Sequence, residues 1–216
     1  MEITWLGHSC FKLRGRTASV VTDPPGKNTG YAIGRPTANV VTISHDHPGH
    51  NNVKAVTGSP RVVQGPGEFD VAEVLIRGTH TFHDQENGTA LGRNTAFVME
   101  IDDVIVCHLG DLGHRPTPEQ VEELSGADIL LVPVGGGTTI GGAAAAETVS
   151  LLGPKLVIPM HYQTPASKDK LEPIDTFLKE IGAPKAVEER QAKLSVTKST
   201  LPQETKVQVL EYKGNS

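Results

Sequence analysis

The sequence predicts an α+β fold in one domain over residues 1–216, and three observations carry that expectation. Glycine (23) and proline (15) make up more than one residue in six, which suits many tight turns between short strands. Short β-branched runs fill the first half of the chain, and strand-like and helix-like segments alternate in the second. The 216 residues can bury a sizeable core, as one domain or one sandwich of two similar halves. With only 4% aromatic residues, that core should be mainly Val, Ile, Leu and Ala.

Residues 2–14 alternate as a hairpin turning at Gly7-His8, and residues 18–22 form a third strand that stops at Asp23-Pro24-Pro25. The Gly/Pro/Asn loop over 24–38 carries Lys27, Tyr31 and Arg35, and such loops are exposed and suited to substrate contact. A strand follows at 39–43, then a short helix at 52–56 and strands at 61–64 and 71–77. Residues 94–101 and 104–108, joined at Asp102-Asp103, read as a hairpin. Thr117 caps a helix over 118–124 that begins with proline at its first position. Beyond it lie a strand at 128–132, a helix at 143–152, a strand at 155–160 ending at His161, a helix near 173–182 and a final strand near 206–212. No repeat, low-complexity tract or linker divides the chain.

Composition excludes several function classes. A net charge of −5 offers no basic footprint for nucleic acid or an anionic membrane. No apolar run approaches the roughly 18 residues of a membrane span, and no leader is visible. Cys10 and Cys107 are too few for a disulfide framework, so free, buried thiols and a cytoplasmic setting are expected.

The chemistry gathers at Ser44-His45-Asp46-His47-Pro48-Gly49-His50, where three histidines follow directly on a strand. Imidazole binds zinc, iron, manganese or nickel, so one such turn could fill most of a metal's ligand shell. The bland alternative is a solvated polar loop in which the clustering is accidental. Three further points decide it: His83 beside Asp84, Asp111 in His108-Leu109-Gly110-Asp111, and His161 closing Leu156-Val157-Ile158-Pro159-Met160. Each falls at a strand end, where one edge of a closed-strand scaffold would bring them together. His80, His108 and His114 are expected to be structural or to support the ligands from behind. No Ser–His–Asp or Cys–His arrangement is visible. Gly135-Gly136-Gly137 lacks the ending of a P-loop and reads as a pocket rim.

In this pattern, and in Thr4-Trp5-Leu6-Gly7-His8-Ser9-Cys10, Thr22-Asp23-Pro24, Gly110-Asp111-Leu112-Gly113-His114 and Ile158-Pro159-Met160-His161-Tyr162, the chain resembles the metallo-β-lactamase superfamily. The resemblance is to small stand-alone Zn-dependent hydrolases related to L-ascorbate-6-phosphate lactonase, and covers residues 1 to about 165. It implies an αββα sandwich, two facing β-sheets flanked by helices, with metals at one edge. It also implies a first metal site of His45, His47 and His83 and a second of His50 and His161, with Asp111 bridging both. The family pattern has aspartate where Gly49 stands, so the second site is expected to be weaker. Asp46, one residue along the turn, should point elsewhere.

The activity implied is attack of metal-bound hydroxide on a small ester, lactone or phosphoester, with one or two divalent ions, zinc foremost and manganese or iron open. Asp111 and His8 are the candidate catalytic residues, His8 as leaving-group acid or substrate contact. His8 could also be a histidine satisfied inside a tight turn. Asp23 is expected to orient a metal-binding histidine, or else simply to start a turn. Rims should come from residues 24–38, 84–93 and 135–142; Arg35, Arg93 and Arg115 are candidate anion contacts or equally solvated surface charges, and the Gly65–Phe69 stretch reads first as an ordinary Pro-Gly turn and second, through Glu68, as a loop beside the site. Gly49 raises the alternative of a non-catalytic member that binds one ion or a ligand. A small-molecule substrate is the expected partner, and a homo-oligomer is left open.

Overall fold

The computed structural model describes residues 1–213, so the last three residues of the expected domain, 214–216, lie outside the described residues. In chain order the strands are β1 (Glu2–Gly7), β2 (Cys10–Arg14), β3 (Ser19–Thr22), β4 (Val40–Ile43), β5 (Arg61–Gln64), β6 (Gly67–Val71), β7 (Val74–Phe82), β8 (Arg93–Ile101) and β9 (Val104–His108). There follow α1 (Pro118–Leu124), β10 (Ile129–Pro133), α2 (Gly142–Leu152), β11 (Leu156–Met160), α3 (Ile174–Glu180), β12 (Leu194–Ser195) and β13 (Lys206–Val207). They build two mixed sheets, ordered β12-β1-β2-β3-β4-β5 and β13-β11-β10-β9-β8-β7-β6.

Alternation along the strands explains how the sheets face each other. Ile3, Trp5, Phe11, Leu13, Val20 and Val40 of the first sheet enter one core with Ile76, Phe97, Met99 and Val106 of the second. The intervening Cys10, Val21, Val41 and Ile43 point to the opposite face, where Ile33, Ala38 and Val56 cover them. β10, paired in parallel on both sides, is buried along its whole length and reads as an unbroken apolar run. The three α-helices belong to the second sheet, α1 against β7, α2 against β10, and α3 against α2. This is the αββα sandwich, with irregular chain and 3-10 turns layered on the first sheet.

Local chemistry sets the boundaries. Thr117 and Gln120 close a capping box at the start of α1, and Gly153, at φ +59°, ends α2 in a left-handed cap. Asp102 and Asp103 both take positive φ and give the two-residue hairpin turn between β8 and β9.

Three expectations need correction. The strand expected over 71–77 is split by a second such turn at Ala72-Glu73 (φ +52° and +63°), so β6 and β7 form a hairpin. Alanine and glutamate are uncommon in this geometry, which is why the sequence hid it. The Gly65–Phe69 stretch therefore runs into edge strand β6, and Glu68 lines a separate cavity of about 620 Å³ with Phe69 and Arg77. The helix at 52–56 is a single 3-10 turn, Val53–Ala55, and the last strand keeps only Lys206–Val207. Among the described residues no helix is long and apolar enough to cross a membrane.

Candidate metal centre

The expected residues meet at one edge of the sandwich. His8 lies in the turn after β1, Asp23 just past β3, and His45, His47 and His50 past β4. His83, Asp111 and His161 follow β7, β9 and β11 of the facing sheet. His8, Asp23 and His161 hold left-handed backbone at φ +54°, +38° and +51°. Such conformations cost non-glycine residues about 1–3 kcal/mol and persist only where the surroundings impose them. The indole N–H of Trp5 donates to the His8 carbonyl at 2.9 Å, which helps fix that turn.

Asp111 is the focus. Its Oδ1 accepts from Ser9 Oγ at 3.1 Å, and its backbone N–H donates to the buried Asn94 Oδ1 at 3.0 Å. Its Oδ2 faces Nε2 of His50 at 3.1 Å and Nε2 of His83 and His161 at 3.4 Å each. Gly110 permits this approach, because a Cβ there would stand 2.5 Å from Ser44 Cβ and Asn94 Oδ1.

The other ring nitrogens are turned outward by named partners. His83 Nδ1 donates to the Thr138 carbonyl at 2.9 Å, and His50 Nδ1 to Asp23 Oδ2 at 2.9 Å. Ser44 Oγ gives its only hydrogen to Asp23 Oδ2 at 2.5 Å, so at 2.9 Å it must accept from His45 Nδ1. One buried carboxylate thus sets the tautomers of His50 directly and His45 through Ser44. Nε2 is the inward-facing nitrogen of each, and the Nε2 of His45 is buried with no hydrogen-bond partner. Asp23 has the orienting role expected of it. Asp46 does point away, exposed and held by Asn51.

Burial would by itself lift the Asp111 pKa, but His161 and His50 hold it well below the usual carboxylate range. Burial likewise opposes charge on His50, yet Asp111 and Asp23 on either side raise it to about 10. For His45 burial dominates, reinforced by His50, and the pKa falls to about 3. His8 is pushed well below its ordinary value by burial and then by His161 and His50.

The donor set fits divalent cations, with imidazole nitrogens converging on a shared carboxylate oxygen and an unpartnered nitrogen among them. Potential ligand atoms lie within 4.8 Å of one another in three groups: His45, His47 and His83; His45, His50 and Asp111; and His8, His50 and His161. The six residues expected as ligands are therefore brought together. His8, expected at the site as leaving-group acid or substrate contact, sits inside this cluster, its ring centroid 4.8 Å from that of His50 and 4.4 Å from that of His161.

A cavity of about 460 Å³ opens over the cluster. Asn28 and Thr29, Leu91, and Gly137 and Thr138 rim it from the three expected loops. A fourth wall, Asp169-Lys170-Leu171, was not foreseen, because nothing in its polar sequence marks it as a rim. Arg35, Arg93 and Arg115 do not line this cavity; the lysine there is Lys170. His108 is structural, its Nε2–H donating to the Ser9 carbonyl at 2.8 Å, and Cys10 and Cys107 are free and buried.

Comparison with known proteins gives the same grouping. Residues 2–161 match the family profile described as a beta-lactamase superfamily domain. A metal-dependent hydrolase of Pyrobaculum calidifontis is 31% identical over 191 residues, covering 76% of this chain and 85% of that protein. A metal-dependent hydrolase of Pyrococcus horikoshii is 28% identical over 205 residues, covering 80% and 90%. Among solved structures, a protein of Thermotoga maritima assigned to the Zn-dependent hydrolases of the metallo-beta-lactamase superfamily superposes with a TM-score of 0.79 and is 43% identical, over 98% of this chain and 99% of that one.

Proposed function

The chain belongs to the metallo-β-lactamase superfamily and is a metal-dependent hydrolase, and from that premise we propose that it cleaves a small ester, lactone or phosphoester with two divalent ions held about Asp111. The observation that carries this reading is the single oxygen, Asp111 Oδ2, on which Nε2 of His50, His83 and His161 converge. His45, His47 and His83 would hold one ion and His50 and His161 the other, with Asp111 between them. Bound there, the ions would make hydroxide available from water near neutral pH and polarise the oxygen of the scissile group. Five imidazoles with a carboxylate and no thiolate suit zinc or iron, with manganese less favoured.

The chain's own groups do the positioning. Asp23, Ser44 and the Thr138 carbonyl keep the ring protons on the outer nitrogens, so the inner nitrogens stay basic. The cavity has the size of a small-molecule site, and Lys170 on its rim is placed to meet an anionic substituent. Metal content per chain, measured beside hydrolysis of a panel of activated phosphoesters and lactones, tests the proposal. Turnover that vanishes with chelator and in Asp111→Asn supports it; metal-replete protein inert on the whole panel counts against this substrate class.

A further inference from the structure

We propose that His8 is a ligand of the second ion, occupying the space that an aspartate at position 49 would fill. The inference rests on the two-ion reading above and concerns the composition of its second half. His50, His161 and the shared Asp111 leave that ion one protein ligand short of the pattern the resemblance implies, because residue 49 is glycine.

The backbone does not demand glycine there. Gly49 lies outside the left-handed region, unlike most of the chain's other glycines. A Cβ built on it would meet only ordinary contacts, Thr29 Cγ2 at 3.4 Å, His8 Cε1 at 3.5 Å and His8 Nε2 at 3.7 Å. Alanine would therefore fit, and what a longer side chain would run into is the imidazole edge of His8. That ring occupies the space over residue 49 and points into the same cluster. It is 5% exposed, its Nδ1 has no hydrogen-bond partner, and one of its nitrogens lies within 4.8 Å of ligand atoms on both His50 and His161. Among the described residues its one ion-pair contact outside the cluster is with Asp169, 3.9 Å from Nε2 and largely exposed, too long and too wet a contact to explain a buried imidazole.

The glycine at 49 then exchanges a carboxylate ligand for the His8 ring beside it, a histidine that itself belongs to the motif carrying the resemblance. The exchange changes the site's character. A neutral nitrogen replaces an anionic oxygen, which favours zinc, cobalt or nickel over manganese at that ion. It also answers the alternative of a non-catalytic member, which stood on the loss of a ligand at Gly49, and it moves His8 from leaving-group acid to ligand.

His8→Gly is the direct test, since glycine takes the positive φ without strain. The readouts are metal stoichiometry by mass spectrometry and affinity by competition with a chromophoric chelator, on the full chain with Zn²⁺ and Mn²⁺ as probes. Wild type should bind two zinc ions. His8→Gly should keep one, with the second weakened about 100-fold or more, while the retained ion reports an intact fold. Gly49→Asp added to His8→Gly should restore the second ion and shift it towards manganese; Gly49→Asp alone should not strengthen it. Two ions at wild-type affinity in His8→Gly overturn the assignment, as does a second ion in the double variant that stays as weak as in His8→Gly. A wild type that holds a single ion regardless of residue 8 overturns it too. A wild type that binds no ion overturns the underlying reading of the centre instead.

Discussion

Replacing Asp23 with asparagine changes one buried atom and should cripple the centre without touching a proposed ligand. Asp23 is wholly buried and accepts three hydrogen bonds, from Ser44 N at 2.8 Å on Oδ1 and from Ser44 Oγ at 2.5 Å and His50 Nδ1 at 2.9 Å on Oδ2. The amide has two ways to sit, and both lose. With its oxygen in place of Oδ2, its NH₂ confronts the Ser44 backbone N–H, donor against donor. With its NH₂ in place of Oδ2, His50 Nδ1 must accept, which moves the ring proton to Nε2, the atom 3.1 Å from Asp111. A buried donor left unmet costs about 1–3 kcal/mol. For a domain of this size that lowers the melting temperature of metal-free protein by roughly 2–12 °C, at about 2–4 °C per kcal/mol. Loss of an orienting carboxylate typically weakens metal binding about 10–100-fold, or about 1.4–2.8 kcal/mol. Because Ser44 passes the effect to His45, both ions should weaken, the one at His50 more. Chelator competition measures the two affinities, thermal melting the fold, and ¹⁵N NMR the His50 tautomer. Wild-type affinities for both ions in Asp23→Asn would refute the tautomer argument outright.

Three further outcomes follow from contacts around the site. In Gly113→Ala the new methyl would stand 2.3 Å from Asp84 N and His83 C, backbone that cannot yield like a side chain. The variant should lose about 1–3 kcal/mol and bind the first ion more weakly through a displaced His83; a wild-type melt would show that this turn can relax. Asp84 accepts from the backbone N–H groups of Glu86, Gly88, Ala90 and Leu91, and these bonds lower its pKa to about 2. Asp84→Ala should raise amide exchange across 84–91, the loop that carries Leu91 to the cavity rim, and unchanged protection would count against that role. Asp128, buried where it takes the Ile105 N–H, Lys198 Nζ and Lys155 Nζ, has a depressed pKa despite the opposing effect of burial. Its contribution is therefore full above the unfolded value near 3.9 and is lost as pH falls through the lower folded value. Asp128→Asn should be about 1–3 kcal/mol less stable at neutral pH and show a shallower acid limb in urea melts; parallel limbs would contradict the assignment.

Much of this was legible because strand ends advertise themselves. The alternation of Val20/Val21 and Val40/Val41 fixed two strands of the first sheet, and the histidines and aspartate that follow such runs marked the edge where they meet. The hairpin at Asp102-Asp103 was readable because aspartate tolerates left-handed backbone, whereas Ala72-Glu73 adopts the same turn without saying so. That His8, expected at the site, lies among the possible ligand atoms was beyond local pattern. A histidine in a tight turn is ambiguous until the fold lays it across Gly49, more than forty residues further on. Asn94, the Thr138 carbonyl and the wall at Asp169-Lys170-Leu171 were invisible for the same reason, since their roles depend on partners distant in sequence.

The division of the centre between the sheets has a mechanical consequence. His8, Asp23 and the turn at His45 to His50 extend from one layer, His83, Asp111 and His161 from the other. Ions bridging them would act as a clasp along the open seam of the sandwich. Any ion that binds only the closed form adds stability in proportion to the logarithm of its free concentration over its dissociation constant, about 2.7 kcal/mol at a hundredfold excess. The clasp can form only after both layers have assembled, so metal capture comes late in folding and slows opening more than it speeds closure. Starved of metal, the protein would lose grip along this seam as well as turnover.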